Sequence, residues 1–266
     1  MADLTARRVV VTGASGGLGS AVARRFLGDG AEVVNLDAAA PQADLAEMRA
    51  FKTIPLDISH EAFVRQAFEA ADRHFAKPGI DVLVHCAAIS VPGVFPDIGT
   101  DAFDRVMAVN LRGTFLVCRE AGRRMKAARA GHIVVITSVC AEQAWAGELA
   151  YCASKAAKRS LVQSMANDLA PFGVVVNALG PGLIEHKSAS MASTRDNQEI
   201  HRHDMDRTPL GRFGDPEELA EAVHVLAATT WMTGQTMYVD GGFLAAGLGH
   251  FGQARAALLA IKPGRS

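Results

Sequence analysis

The chain has 266 residues, of which 49% are hydrophobic and 21% are charged, and it contains 25 glycines. This composition is ordinary for a soluble enzyme and allows either one large α/β domain or two small ones. A formal net charge of −1 argues against a nucleic-acid partner held by bulk electrostatics.

Short apolar runs alternate with helical patterns along the whole chain. In the first half, strands are predicted at residues 9–11, 31–36, 53–56 and 81–85, helices at 18–27 and 61–75, and a short segment at 45–50. In the second half, helices are predicted at residues 102–125, 151–169 and 217–227, and strands at 132–137, 174–178 and 236–239. Strands rich in Val, Ile and Leu that alternate with helices predict a mostly parallel seven-stranded sheet covered on both faces. Because no repeat or linker interrupts this order, we expect one doubly wound, Rossmann-type α/β domain over residues 1–242.

Membrane and secretion signals are missing from the pattern. No apolar run approaches the length needed to span a bilayer, and the first strand begins by Arg8, which leaves no room for a signal peptide. The four cysteines show no C-x-x-C pair and no spacing typical of a secreted framework. We therefore expect a cytoplasmic protein with reduced thiols and no membrane partner.

A glycine-rich turn, T-G-A-S-G-G-L-G at residues 12–19, joins the first strand to the first helix. Glycines permit a tight turn and a close approach of backbone to a ligand, and the helix that follows offers free N–H groups to phosphates. Such a turn alone could be an ordinary loop, but its position between strand and helix favours a dinucleotide site. The expected contacts are Gly13, Ser15, Gly16, Gly17, Leu18 and Gly19.

Asp37 closes the second strand, twenty residues after Gly17. This is the spacing expected of an acid that accepts the ribose hydroxyls of a dinucleotide. An acid here repels a 2′-phosphate, and no Arg or Lys occurs at residues 38–40 to receive one. We therefore expect NAD rather than NADP; the alternative is a strand-end aspartate that caps a turn.

Tyr151 and Lys155 lie four residues apart in a run of small residues, and this spacing places them on one face of a helix. A free phenol has a pKa of about 10, and a neighbouring ammonium lowers it. The pair could therefore act as a general acid/base near neutral pH, although taken alone it could equally be a surface pair.

Together these residues resemble the classical short-chain dehydrogenase/reductase family over about residues 7–242. The glycine turn fits T-G-x-x-x-G-x-G, and Tyr151 and Lys155 fit Y-x-x-x-K. Ser138 lies thirteen residues before Tyr151, as the catalytic serine of the family does, and Asn110 matches its helix asparagine. The resemblance adds expected cofactor contacts at Asp57, Ile58, Ala87, Pro181, Gly182 and Ile184, besides Tyr151 and Lys155 themselves.

The resemblance also implies a role for each of the four catalytic residues. Tyr151 would exchange a proton with the substrate oxygen while a hydride moves to or from the nicotinamide. Lys155 would lower the pKa of Tyr151 and bind the nicotinamide ribose, and Ser138 would steady the substrate oxygen. Asn110 would hold a local irregularity in its helix and a water leading to Lys155. Without their partners, Ser138 could be a turn hydroxyl and Asn110 a surface residue.

The sequence departs from the family pattern at two places. Residues 85–88 read H-C-A-A where the family has N-N-A-G, so His85 is either a functional histidine or, more plausibly, a hydrogen-bonded histidine behind the sheet. His186 replaces the usual threonine after the Pro-Gly pair, and it could contact substrate or be a solvated loop residue. The run at residues 201–204 does not have the spacing of a metal site, and we expect no metal.

Three further features bear on the substrate. Residues 183–210 occupy the position of a substrate lid, in which Met191, Arg195, Arg202 and Met205 could set specificity or merely cover the cleft. Trp145 is the best candidate for a substrate-facing aromatic residue, against a role in packing. Residues 243–266 extend beyond the usual end of the family, with a helix-prone stretch at 253–261 that could fold over the cleft, contact a neighbouring subunit or fray.

The function expected from these features is NAD-dependent interconversion of a small or medium secondary alcohol and its ketone. A sugar or polyol dehydrogenase is the nearest alternative, and Asp37 makes a 3-oxoacyl reductase less favoured. A cofactor-binding scaffold or sensor without activity is the alternative from another class, but the complete set of Asn110, Ser138, Tyr151 and Lys155 argues against it. The small residues around Tyr151 would permit close packing between subunits, and we expect a homotetramer.

Overall fold

The computed structural model describes residues 3–185 and 198–246 of the chain. The strands in these ranges are β1 Arg8–Thr12, β2 Glu32–Asp37, β3 Phe51–Pro55, β4 Val82–His85, β5 Gly131–Ile136, β6 Val174–Pro181 and β7 Thr236–Val239. The α-helices are α1 Gly17–Gly28, α2 Ala43–Ala46, α3 Glu61–His74, α4 Thr100–Met107, α5 Thr114–Ala128, α6 Leu149–Leu169, α7 Gln198–Asp206 and α8 Pro216–Ala228. Each predicted strand and helix is confirmed within a few residues of its expected limits, except that the predicted helix 102–125 is divided.

The strands form one parallel sheet in the order β3-β2-β1-β4-β5-β6-β7. Apolar side chains cover both of its faces: Phe26 and Val223 belong to the cluster on one face, and Phe68 and Val162 to the cluster on the other. Burial on both faces explains why the strands read as continuous apolar runs rather than as alternating ones. The predicted seven-stranded, doubly wound sheet is confirmed.

The chain changes direction across the sheet between β1 and β4, which are neighbours although β2 and β3 intervene in sequence. Thr12 and His85, the last residues of these two strands, lie in register. In an open parallel sheet, ligands bind in the crevice outside the carboxyl ends of the strands at such a reversal. The glycine-rich turn and residues 86–88 therefore meet at one edge of the sheet.

A π-helical segment, Ala108–Gly113, separates α4 from α5. It contains Asn110, so the local irregularity expected at this residue is present. Gly113 ends the segment. A Cβ atom there would lie 2.8 Å from a side-chain carbon of Ile58, so this close approach requires glycine. Helices carry such segments most often at functional sites.

Some sequence predictions lie outside the described residues. These are the roles of His186, Met191 and Arg195 and the helix-prone stretch at residues 253–261. In the described ranges, no helix is long and apolar enough to cross a membrane. The same part of the chain contains no group of three His, Cys, Asp or Glu side chains that could hold a metal ion.

Candidate active site

The glycine-rich turn is shaped by two close approaches of backbone to backbone. Gly13 has a φ of +79°, and a Cβ atom there would lie 2.9 Å from the main-chain nitrogen of Ala87. A Cβ atom on Gly19 would lie 2.2 Å from the main-chain oxygen of Gly13. The N-cap residue of α1 is Gly16, which has no side chain to bond the free N–H groups in the first turn of the helix. The N–H groups of Ser15 and Gly16 are bonded within the protein, so it is the first turn of α1, which has no side-chain cap, that can offer N–H groups to the phosphates of a dinucleotide.

The carboxylate of Asp37 lies beside this turn at the end of β2. It accepts hydrogen bonds from the main-chain N–H groups of Ser15 and Ala39, both at 2.9 Å. The hydroxyl of Ser15 donates to the main-chain oxygen of Ala39, which closes the same small network. Asp37 therefore does cap a turn, and the same bonds hold its charge next to the glycine-rich turn.

The other predicted cofactor contacts surround the same edge of the sheet. Asp57 accepts hydrogen bonds from the main chain and hydroxyl of Ser59, and these bonds lower its pKa. Ile58 is buried under Gly113, and Ile184 is buried in the core cluster that also contains Val9.

Three more of these contacts lie close to neighbouring backbone. Pro181 ends β6, and Gly182 follows it where a Cβ atom would lie 2.6 Å from the Cα atom of Asp240. Ala87 stands directly against Gly13. The predicted cofactor residues at the ends of β1, β2, β3, β4 and β6 thus lie along one edge of the sheet.

Ser138, Tyr151 and Lys155 come together beside the end of β5. Ser138 follows β5 directly and is buried, and its hydroxyl acts to lower the pKa of the Tyr151 phenol. Lys155 is buried, its Nζ atom lies 5.1 Å from the ring centroid of Tyr151, and it donates to the main-chain oxygen of Ile136 at 3.2 Å. The interpretation of this pair as a surface coincidence is therefore wrong.

The acid–base properties of the pair differ from the sequence expectation. Burial raises the pKa of Tyr151 above its ordinary value, and the nearby Cys140 and Glu148 raise it further. Burial also lowers the pKa of Lys155 to about 8. Burial thus has the largest influence on the pKa of Tyr151, because removing a phenolate from water is costly, and a lowering of this pKa by Lys155 stays a prediction. The phenol is neutral at pH 7, while Lys155 can exchange a proton near that pH.

Asn110 connects this centre to the π-helical segment. Its side-chain oxygen accepts the main-chain N–H of Ile89 at 2.8 Å, and its side-chain nitrogen donates to the oxygen of Ile89 at 2.8 Å and to the hydroxyl of Ser154 at 3.0 Å. The Ser154 hydroxyl donates to the main-chain oxygen of Tyr151 at 2.7 Å. Asn110 is fully buried, so it is not the surface residue that sequence alone allowed.

His85 is fully buried behind the crevice. Its two ring nitrogens each lie 2.8 Å from a hydroxyl oxygen, that of Thr12 on one side and that of Thr114 on the other. Burial, reinforced by the charges of Lys158 and Lys155, lowers the pKa of His85 well below its ordinary value. The prediction of a hydrogen-bonded histidine behind the sheet is confirmed.

Lys158 was not predicted from the sequence. It is fully buried, and its ammonium group donates to the main-chain oxygen of Ala87 at 3.4 Å. Burial and the charge of Lys155 lower its pKa well below the usual value. Its spacing of three residues from Lys155 and four from the apolar Val162 was a signal that it faces the core.

Trp145 lies between Ser138 and Tyr151 in sequence and is half-buried. Its ring packs on Phe243 with centroids 5.8 Å apart, within a small cluster that includes Val139, Leu183 and Phe213. Its indole nitrogen is buried and forms no hydrogen bond with the described residues. Trp145 thus contributes to packing and also carries an unused donor.

Comparison with known proteins agrees with this geometry. A family model described as enoyl-(acyl carrier protein) reductase matches residues 13–244. A 3-oxoacyl-[acyl-carrier-protein] reductase of Aquifex aeolicus is 33% identical over 88% of this chain and 95% of the relative. An NAD-dependent glycerol dehydrogenase of Listeria innocua is 34% identical over 91% of this chain and 95% of the relative. Among solved structures, a gluconate 5-dehydrogenase of Burkholderia cenocepacia in complex with NADP and tartrate superposes with a TM-score of 0.85 at 31% identity, covering 91% of this chain and 96% of that one.

Proposed function

The chain belongs to the classical short-chain dehydrogenase/reductase family of oxidoreductases, and from this premise we propose that it interconverts a secondary alcohol and a ketone with NAD as its cofactor. The observation that carries the proposal is the contact of Ser138, Tyr151 and Lys155 beside a turn shaped for a dinucleotide. A cofactor-binding scaffold without activity would have no use for a buried lysine next to a partly buried tyrosine. The buried and hydrogen-bonded Asn110 supports the same conclusion.

The residues that would hold the cofactor fit its parts. The free N–H groups at the start of α1 would receive the pyrophosphate, Asp37 the ribose hydroxyls of the adenosine half, and Lys155 the ribose of the nicotinamide half. When bound, the nicotinamide supplies the hydride acceptor or donor of the reaction. The small side chain of Ala87 would leave room for it.

The proton chemistry falls to the protein. Tyr151, neutral at pH 7, would donate its phenolic proton to the carbonyl oxygen of a ketone and take it back from an alcohol. The Ser138 hydroxyl would hold the same oxygen in place. Lys155, with a pKa of about 8, would restore the proton of Tyr151, and the bonds of Asn110 to Ile89 and Ser154 would keep α6 in register.

Asp37 supports NAD over NADP. Its carboxylate is fixed by two main-chain N–H groups, and residues 38–40 offer no cation for a 2′-phosphate. The relatives include one that is named as NAD-dependent and a structure that contains NADP, so Asp37 is the feature of this chain that bears on the choice.

A sugar, polyol or hydroxy-acid dehydrogenase is a closely related candidate, since glycerol and gluconate dehydrogenases are among the similar proteins. A 3-oxoacyl reductase is a second candidate, favoured by the family model and by the Aquifex relative. Asp37 argues against it only if that activity requires NADP.

Domain boundaries and subunit assembly can be proposed as well. We propose that residues 1–242 form the NAD-binding domain, that residues 183–210 act as a substrate lid, and that the segment from 243 extends the substrate side, where Phe243 contacts Trp145. The exposed small residues on the outer face of α6, together with exposed Phe115 on α5, would let subunits pack closely in a homotetramer. The four free cysteines suit a reducing cytoplasm.

The test is NADH formation with a panel of secondary alcohols, polyols and hydroxy acids. Wild-type protein should reduce NAD with at least one of them, and Tyr151→Phe should lose about a hundredfold or more of kcat, the contribution of a general acid/base. Tyr238→Phe is the matched control because it removes the other phenol, which bonds Glu142 rather than Ser138. Equal rates for wild type and Tyr151→Phe on every substrate would exclude the proposed mechanism.

A further inference from the structure

Arg207 follows α7 and contacts Gln143 and Phe243, and we propose that it binds a carboxylate of the substrate, which makes the substrate a hydroxy acid and the product a keto acid. This inference rests on the proposed function, because it places the reacting hydroxyl at Ser138 and Tyr151. It adds a binding site for the far end of the same molecule.

A chain of contacts connects Arg207 to the catalytic residues. Its guanidinium donates to the side-chain oxygen of Gln143 at 3.2 Å, and its central carbon lies 4.6 Å from the ring centroid of Phe243. Phe243 packs on Trp145, whose main-chain N–H donates to the sulfur of Cys152, the neighbour of Tyr151. Arg207 therefore lies on the wall formed by the segment between Ser138 and Tyr151.

The charge of Arg207 is not neutralised by the described part of the chain. Several other arginines lie within 3.0 Å of a carboxylate oxygen: Arg8, Arg24, Arg25, Arg119, Arg124 and Arg212. No carboxylate of the described residues lies within 4.0 Å of the guanidinium of Arg207, whose hydrogen-bond partner there is a neutral amide.

The nearby acids have other partners. Glu142 accepts from Tyr238 and Arg159, and Glu148 accepts from Ser90 at 2.5 Å. A partly buried guanidinium without an acid favours an anionic ligand.

The indole of Trp145 provides an independent observation. Its nitrogen is buried and without an acceptor among the described residues, although buried donors are almost always paired. A ligand oxygen would satisfy it. The guanidinium of Arg207, the indole N–H of Trp145 and the side-chain amide of Gln143 together offer several donors in one small region, which is the chemistry that a carboxylate requires.

The apolar surroundings of Trp145 strengthen the attraction between Arg207 and a carboxylate. Leu183, Phe213 and Phe243 form apolar walls beside Trp145. Charges attract each other more strongly where water is excluded. The site thus discriminates a carboxylate from a neutral group of similar shape.

The experiment compares matched substrates in three proteins. The substrate pairs are 3-hydroxybutyrate with its methyl ester and gluconate with sorbitol, so that each pair differs by one negative charge. The variants are Arg207→Gln and, as a control, Arg65→Gln, which removes the same charge from an exposed position on α3. Arg207→Gln should lower kcat/KM for the acids by about tenfold to a hundredfold, mainly through KM, as expected for loss of a charged hydrogen bond, and leave the neutral partners unchanged. Arg207→Lys should recover part of the loss.

A binding measurement accompanies the kinetics. Each of the two acids, in the presence of NADH, should raise the melting temperature of the wild type and of Arg65→Gln more than that of Arg207→Gln. If neither acid stabilises the wild type, or if the charge of the substrate makes no difference to the effect of Arg207→Gln, the carboxylate site is excluded. Turnover of neutral alcohols would then still support the proposed function, whereas absence of NADH formation with every substrate would count against that function itself.

Discussion

The Nε2 atom of His85 lies 2.8 Å from the hydroxyl oxygen of Thr114, and this hydroxyl donates its single hydrogen to the main-chain oxygen of Asn110. Thr114 must therefore accept a hydrogen from Nε2, which fixes the tautomer of His85. The Nδ1 atom is then an acceptor for the hydroxyl of Thr12, whose oxygen in turn accepts the main-chain N–H of Ala87 at 3.2 Å. A neutral imidazole thus links the cofactor edge of the sheet to the π-helical segment.

This arrangement predicts acid sensitivity. The pKa of His85 is far below its unfolded value of about 6.5, so below that pH the unfolded chain binds a proton that the folded chain does not. The contribution of His85 to the free energy of unfolding is present above pH 6.5 and should fall by up to about 1.4 kcal/mol per pH unit as the pH drops below it. Urea unfolding at pH 7 and pH 5 measures the difference. His85→Asn should reduce the difference, whereas exposed His74→Asn should not; equal pH dependence in all three proteins would contradict the neutral imidazole.

The burial of Lys158 should lower the free energy of unfolding. Its folded pKa is lowered by burial and by the charge of Lys155, so the unfolded lysine, with a pKa of about 10.4, binds a proton more readily than the folded one. Stability contributed by this group is therefore lost as the pH falls below 10.4 toward the folded pKa. Lys158→Met should raise the free energy of unfolding at pH 7, because it removes a group whose charged form is disfavoured by burial. Exposed Lys52→Met is the control, and a destabilised Lys158→Met would show that the bond to Ala87 matters more than the proton.

Asp37 should control the choice of cofactor. Asp37→Asn keeps a hydrogen-bond acceptor but removes the charge that repels a 2′-phosphate. The ratio of NADPH affinity to NADH affinity should rise by about tenfold or more, since juxtaposed like charges cost several kcal/mol. Fluorescence titration of both reduced cofactors measures this ratio, with exposed Asp44→Asn as the control. Tighter binding of NADPH than of NADH by the wild type would show that Asp37 does not act as proposed.

Two glycines of α1 offer a matched test of the phosphate-binding turn. Gly19→Ala places a methyl group 2.2 Å from the oxygen of Gly13, so the turn must shift, and NADH affinity should fall by about tenfold or more. Gly28→Ala meets no atom within 4 Å and should bind NADH normally, with stability raised by up to about 1 kcal/mol. Calorimetric titration and thermal melting of both variants provide the comparison. Normal NADH binding by Gly19→Ala would mean that the cofactor does not contact this turn.

The outer face of α6 should hold the assembly together. Ala153 and Ala156 are exposed small residues on this helix, so Ala156→Arg introduces bulk and charge where close packing is proposed. Wild-type protein should have a mass of four times 28.1 kDa by light scattering, and the variant a smaller one. Exposed Ala43→Arg on α2 is the control, and a monomeric wild type would refute the tetramer.

From the amino-acid sequence one can predict the alternation of strands and helices, the glycine-rich turn and the pairing of Tyr151 with Lys155. These features depend on local spacing: apolar periodicity, glycines between a strand and a helix, and a four-residue interval on one helical face. Asn110 could also be identified, together with an irregularity in its helix, because a motif preserves the order of residues along the chain.

The pKa shifts at the site depend on packing between distant parts of the chain. Desolvation raises the pKa of Tyr151 and lowers those of His85 and Lys158. It depends on what covers a group rather than on the neighbours of that group in sequence. The position of Arg207 beside Gln143, 64 residues away, has the same origin. Contacts between distant parts of the chain thus decide which charged groups have a partner, and spacing along the sequence does not predict these contacts.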